Sequence, residues 1–450
     1  MKKLHNIVIR HTLSIAALLL AVIGVSSCEI FGQEQTNSQK RVFIIYSAGF
    51  NNLASYLNED INEICEDYAS VKGNNHVVIF SHRTKTAGNY STPSSPVIVH
   101  LRKDKEGKVC RDTLKVMDPS TISASSETLT EALTFIKEKF QEAEYSILFS
   151  SHGTGWAPQN YCNKPDEFEN TAGGTPSTDN ELESTFRIKA RENRQPSWGV
   201  VPEDGGPVVK SFGVQNIDKY SYHEMDITDM ANAFPMKMKT IIFDACFMGG
   251  VEVAYELRNV ADYIIASQTE ILADGMDYNT MLSYVFGGGG IFSSVNKMSD
   301  YCENFYNYYN NQSYVKYRSA TISLTDCSRL EGLADVCKTL FSKYRDEIAA
   351  LEGSMSVQRY YRIEHANEHR WFYDLEDILL HCNITDKEKE TLSSALADCV
   401  IYKAATERFI SDIYMTNHSG LSMYLPYKDR KYLNDFYKTL SWNKATGLIE

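Results

Sequence analysis

Short apolar runs alternate with amphipathic helical patterns along most of this chain. That alternation constrains the fold more than any other feature of the sequence. "RVFIIYSAG" (41–49) is a β-rich run, and "NNLASYLNEDINEICEDYAS" after it places Leu53, Tyr56, Leu57, Ile61, Ile64, Cys65 and Tyr68 at helical spacing. "HVVIF" (76–80) is the next strand, a hairpin-like region spans 97–116, and "ETLTEALTFIKEKFQEA" carries Leu129, Leu133, Ile136 and Phe140 on one helical face. "YSILFSSHGTG" (145–155), "KTIIFDAC" (239–246), "ADYIIASQ" (261–268), "SATISLTD" (319–326) and "SGLSMYLP" (419–426) continue the strand series, and a helix is predicted near 328–351. Strands and helices in this order imply an α/β domain with a mostly parallel sheet.

The alternation breaks at about 157–222, where "NTAGGTPSTDNELES", "RIKARENRQPSWG" and "PEDGGP" are rich in Gly, Pro, Ser and charge. This reads as a long insertion in the domain. The net charge of −13 and the lack of a long basic stretch exclude a nucleic-acid binder.

The first 27 residues read as an export signal. Lys2, Lys3 and Arg10 precede an apolar run from Leu13 to Val25, too short to span a bilayer, and small residues follow. Val25-Ser26-Ser27-Cys28 resembles a bacterial lipobox, which implies cleavage before Cys28, lipid on that residue and an outer-membrane lipoprotein on the periplasmic or cell-surface face. Residues 28–40 then form a polar tether and 41–450 the folded domain. Nine of the ten cysteines remain beyond Cys28, an odd number, with no CxxC framework. Cys65, Cys302, Cys337 and Cys399 lie in helical patterns and read as small core residues.

Two strands end in reactive groups. One runs into Ser150, Ser151, His152 and Gly153, the other into Asp244, Ala245 and Cys246. Ligands of open α/β sheets bind beyond the carboxyl ends of strands, so parallel placement would bring His152 and Cys246 to one edge. A thiol becomes a competent nucleophile as thiolate, and an imidazole is its natural partner near neutral pH. The N–H groups of Gly153 and of Cys246, the latter at the expected mouth of the next helix, are candidates to hold an oxyanion. Gly249 and Gly250 permit a tight turn into that helix. Asp244 reads either as a binding carboxylate or as a cap on the following helix.

"ILFSSHGTGW" together with "IIFDACFMGGVEVAYEL" resembles the clostripain family of cysteine peptidases in the caspase-like clan. "IIASQTEILADGMDY" (264–278) and "SGLSMYLP" add to the likeness, which spans roughly 41–445. The resemblance implies a caspase-like α/β/α sandwich and a His152–Cys246 dyad, with Cys246 attacking the scissile carbonyl and His152 serving the leaving amine and then water. It implies protein or peptide substrates cut after Arg or Lys, with Asp244 matching the motif's acid and Asp274 the best match for a second. A planar guanidinium suits such carboxylates. Asp274 and Glu270 read either as carboxylates of this kind or as solvated loop residues, and Asp277 as a loop residue.

Self-cleavage in the insertion follows from the same likeness, and "RIKARENR" (187–194) offers Arg187, Lys189, Arg191 and Arg194. No cofactor is required. Ca2+ is an expectation of the family alone, since the acidic loops lack EF-hand spacing. "HANEH" spaces His365 and His369 by four but is not a zincin motif. "RWFYDLEDIL" (370–379) reads mainly as packing with an acidic face. A catalytically silent lipoprotein of the same fold, binding a peptide or partner, is the alternative. A serine hydrolase is disfavoured by the lack of a GxSxG elbow.

Overall fold

The computed structural model describes residues 39–49, 53–86, 89–163, 165–170, 209–210, 215–218, 221–289, 291–362, 370–410 and 413–450. The export signal, Cys28 and nearly all of the tether therefore lie outside the described residues, as do 171–208, which include the basic stretch 187–194, and His365 and His369.

The strands that matter here are β1 Lys40–Ala48, β2 Asn75–His82, β3 Val97–Lys103, β4 Val109–Val116, β5 Ala143–Ser150, β6 Val209–Lys210, β7 Met238–Asp244, β8 Ala261–Ala266, β9 Ile271–Leu272, β10 Thr321–Asp326, β11 Phe372–Asp374, β12 Val400–Ala405 and β13 Ser422–Tyr424. Nine of them form one sheet in the order β12-β10-β8-β7-β5-β1-β2-β3-β4. The five central strands β8, β7, β5, β1 and β2 run parallel, and antiparallel pairs flank them on both sides.

Both faces of the sheet are covered, which is why its strands are continuous apolar runs. Val42, Ile44, Tyr46, Ile147, Phe149, Ile241 and Phe243 belong to one core, and Phe43, Ile45, Leu148, Ile242 and Ile265 to the other. Helices α1 Ala54–Asp67 and α4 Val295–Asn310 cover the second face. The first face carries α2 Ser126–Lys139, α3 Val251–Leu257, α5 Leu330–Ala350, α6 Leu375–Leu380, α7 Asp386–Cys399, α8 Lys431–Tyr437 and α9 Ser441–Thr446. The three layers form the expected α/β/α sandwich.

Several readings of the sequence change. "SGLSMYLP" does not join the large sheet: β13 pairs antiparallel with β11 in a separate two-stranded sheet. β12 is an edge strand that the apolar pattern did not reveal, because its residues are only partly buried. Two of the three acids of "RWFYDLEDIL", Asp374 and Asp377, are buried. Asp374 caps α6 by accepting from the Asp377 N–H at 3.0 Å, and it also accepts from Tyr360 Oη at 2.7 Å and the Ser419 N–H at 2.6 Å. The start of the segment read as an insertion is packed, with Ala157, Tyr161 and Cys162 buried and a short helix over Pro165–Asn170. Cys302, Cys337 and Cys399 are core thiols as expected, and the nine cysteines among the described residues are all unbridged. Cys65 is only partly buried and accepts from Arg111 Nε at 3.1 Å.

Candidate active site

Strands β5 and β7 are parallel neighbours, and their last residues face each other, Asp244 opposite Ser150. His152 lies two residues beyond Ser150 and Cys246 two beyond Asp244. The loops carrying the imidazole and the thiol therefore leave adjacent strands at the same level of the sheet, at the carboxyl edge. The loops also touch. Gly155 has φ +63°, and a Cβ there would stand 2.8 Å from the Phe247 carbonyl and 2.7 Å from the Phe372 ring. Only glycine permits that approach. His152 is 8 % exposed and Cys246 is fully buried.

Asp244 explains why an apolar strand ends in a carboxylate. Its Oδ2 accepts from Ser150 Oγ at 3.0 Å and from Tyr278 Oη at 2.6 Å. It does not cap the helix after it, because α3 starts only at Val251 with Gly250 as its N-cap. For the same reason the Cys246 N–H is not at a helix mouth. Phe247 has φ +60°, which stops the chain from turning directly into a helix. The loop instead runs beside the exit of β8: the Phe247 N–H donates to Thr269 O at 3.0 Å and the Gly249 N–H to Ser267 O at 2.7 Å. From the other side, the Ser422 N–H donates to Gly249 O at 3.0 Å.

Cys246 Sγ accepts from the Ile271 N–H at 3.2 Å. Ile271 opens β9, which pairs antiparallel with β6 from the segment between the two reactive strands. The residue before it, Glu270, is not solvated. It forms a bidentate pair with Arg362, Nε to Oε2 at 2.6 Å and Nη2 to Oε1 at 3.1 Å, with side chains 10 % and 5 % exposed.

Asp274, by contrast, is exposed. Burial first, and then the charges of Asp274 and Asp244, push the Tyr309 hydroxyl far up, so both carboxylates act on one buried ring. Burial and then Asp244 and Asp60 do the same to Tyr278. Asp277 accepts from Thr280 Oγ1 at 2.7 Å and Asn304 Nδ2 at 2.9 Å, as a loop residue would. Gly153 is buried in the His152 loop. Among the described residues, no group of three His, Cys, Asp or Glu is placed to hold a metal ion, and no helix is long and apolar enough to cross a membrane.

Sequence reasoning missed Asp60, Ser150 as a partner of Asp244, Tyr278 and the Glu270–Arg362 pair. Asp60 did leave a signal: it stands inside the apolar stripe of Leu57, Ile61 and Ile64 and is buried with them. Ser150 and Tyr278 become partners of Asp244 only through the fold.

The chain matches the model of the clostripain family over residues 45–189 and 204–448. It is similar to the X-ray structure of an inactive zymogen C11 protease from Parabacteroides distasonis, with 25% identity, a TM-score of 0.68, and 91% of this chain and 98% of that one covered. A secreted C11 cysteine protease from Bacteroides thetaiotaomicron superposes with a TM-score of 0.67 at 22% identity, covering 91% of this chain and 99% of that one. A structure of a secreted C11 cysteine protease from the same organism, in complex with an irreversible peptide inhibitor, gives a TM-score of 0.65 at 22% identity with the same coverage. No curated protein matches. Loops that bring a histidine and a cysteine to one sheet edge, a three-layer α/β/α fold and a family match over most of its length lead to one conclusion: the chain belongs to the clostripain family of cysteine proteases.

Proposed function

We propose that Cys246 and His152 form the dyad of an endopeptidase that cuts after Arg or Lys. The observation that carries this reading is the pairing of Asp244 with Ser150, which sends both loops out at one level. Cys246 Sγ attacks the scissile carbonyl and forms a thioester. His152 gives a proton to the leaving amine and then takes one from the water that hydrolyses the thioester. The N–H groups of Gly153 and Cys246 hold the oxyanion. Asp244 and Asp274 select the basic side chain, Asp244 from the protein interior and Asp274 from the rim.

The full burial of Cys246, and the pairing of β6 with β9 beside its sulfur, support a resting form that self-processing between the two reactive strands opens. Arg187, Lys189, Arg191 and Arg194 are the proposed cleavage points. The mature protein is proposed to be held at the outer membrane through lipid on Cys28, with 28–40 as its tether.

Fluorogenic peptides ending in Arg, Lys, Asp, Asn and Leu, given to wild type and Cys246→Ala, test the dyad and the pocket together. Turnover of basic peptides by wild type alone is expected. Turnover by Cys246→Ala would overturn the dyad, and preference for a neutral or acidic residue would overturn the roles of Asp244 and Asp274. N-terminal sequencing of both proteins tests self-processing, which equal fragment yields would refute. Metabolic labelling with palmitate tests Cys28, and unlabelled wild type would remove the anchor.

A further inference from the structure

Glu252 lies in the first turn of α3, six residues beyond Cys246, and is fully buried. Its Oε1 accepts from the Tyr424 N–H on β13 at 2.8 Å and from Tyr437 Oη on α8 at 2.7 Å. Both tyrosine rings pack on Trp156, with centroids 4.8 and 4.9 Å apart. Trp156 follows His152 by four residues. On the other side, β13 is fastened to the Cys246 loop by the Ser422 N–H to Gly249 O bond and by a parallel bridge between Gly250 and Ser422. One carboxyl thus joins the loop after Cys246, β13, α8 and the residue that closes the His152 loop.

Its second oxygen completes the arrangement. Glu252 Oε2 and Ser422 Oγ are buried and without hydrogen-bond partners among the described residues. Both flank Gly250, where a Cβ would stand 3.0 Å from Oε2 and 3.4 Å from Ser422 Oγ. A buried carboxyl costs more than an apolar side chain of the same size would, so packing alone gives no reason for it. The chemistry described for the dyad does not use it either.

We propose that Glu252 is a positioning residue for Cys246: its buried carboxyl ties the loop bearing the thiol to β13 and, through Tyr424, Tyr437 and Trp156, to the loop bearing His152. The proposal rests on Cys246 as the nucleophile. Glu252 touches neither the substrate nor the reacting atoms, so its loss slows attack while both reacting groups remain. Burial raises its pKa to about 7. The titratable groups on the elements packed around it are Tyr424, Tyr437 and, beside Tyr437, Cys337 on α5, all raised by burial and neutral in this range. Glu252 is therefore the group in this nest that changes charge near neutrality. When protonated, it has a donor to offer Ser422 Oγ.

The test uses the full chain. Alkylation of Cys246 by iodoacetamide is followed from about pH 5 to about pH 9, beside kcat and KM on an Arg peptide and a thermal melt. Wild type should show an inflection near pH 7 that Glu252→Gln lacks, since its amide is neutral throughout and still donates toward Ser422. Tyr437→Phe and Glu252→Leu should lower kcat and the alkylation rate about tenfold with KM nearly unchanged, the scale of one buried hydrogen bond. Glu252→Gln and Tyr437→Phe decide the matter if Glu252→Leu fails to fold. Variants that alkylate at the wild-type rate with the wild-type pH profile overturn this inference alone. A self-processed wild type that resists labelling at Cys246 overturns the dyad, and this inference with it.

Discussion

The Glu270–Arg362 pair allows a demanding test of how the site is built. Arg362→Met leaves the Glu270 carboxylate in an environment where its side chain is 5 % exposed, with its bidentate partner gone. Breaking a buried pair from one side costs about 3–5 kcal/mol, because the remaining charge is uncompensated. That is a large share of the roughly 5–15 kcal/mol that holds a domain folded. Glu270→Leu should be destabilising too, because it takes the bidentate acceptor away from the Arg362 guanidinium. The double variant removes both charges of the pair and should be less destabilised than the sum of the singles, so the two sites are coupled. Urea unfolding at neutral pH, extrapolated linearly, reads all four corners of this cycle. The singles should also alkylate more slowly at Cys246, since Glu270 precedes the Ile271 N–H that donates to the sulfur at 3.2 Å. Singles costing less than about 1 kcal/mol, or a double variant as unstable as the sum of the singles, would refute the account of this pair as a mutually dependent clamp.

Three further outcomes are expected. Gly249→Ala should destabilise by about 2 kcal/mol or more and abolish Cys246 labelling, because the added Cβ would lie 2.3 Å from Gln268 Nε2, which is held at 2.8 Å by both Ser323 Oγ and Gly420 O; an active, equally stable variant would show that this loop yields. Tyr278→Phe removes a 2.6 Å bond to Asp244 and should cost about 1–3 kcal/mol in a denaturation assay while weakening KM for Arg peptides. Glu252 holds its proton more tightly when folded, so the stability that proton contributes is complete below the unfolded pKa of 4.5 and is withdrawn as pH rises through about 7. Above that pH the difference amounts to about 3 kcal/mol, so Glu252→Gln should be the more stable protein in alkali and should lack this slope in a pH series of unfolding curves.

The strands of the parallel core were legible because both faces of the sheet are covered, which leaves uninterrupted apolar runs bounded by small residues. Helices α1, α2 and α5 were legible from their apolar stripes. β12 was missed because an edge strand carries no such run, and "SGLSMYLP" was misplaced because a short apolar segment reads the same whichever sheet it joins. His152, Asp244 and Cys246 stood out as reactive groups ending apolar strands. Gly153 and Asp274 needed the family likeness or a mechanistic argument, because a loop residue has no periodicity to betray its role.

By itself, then, the sequence determined the alternation of strands and helices and singled out His152 and Cys246 as candidates for the dyad, since hydrophobic periodicity and strand-end chemistry are local properties of the chain. Only the tertiary structure decided what surrounds them. It made Glu270, an acid the sequence left open between a pocket and a solvated loop, half of a buried pair with a residue 92 positions away, gave Asp244 its Ser150 and Tyr278 donors, started α3 too late to serve Cys246, and buried Glu252 between β13 and α8. The physical reason is common to all four. The environment of a charge or a polar group is set by whichever segments the fold packs against it, and those segments come from distant parts of the chain.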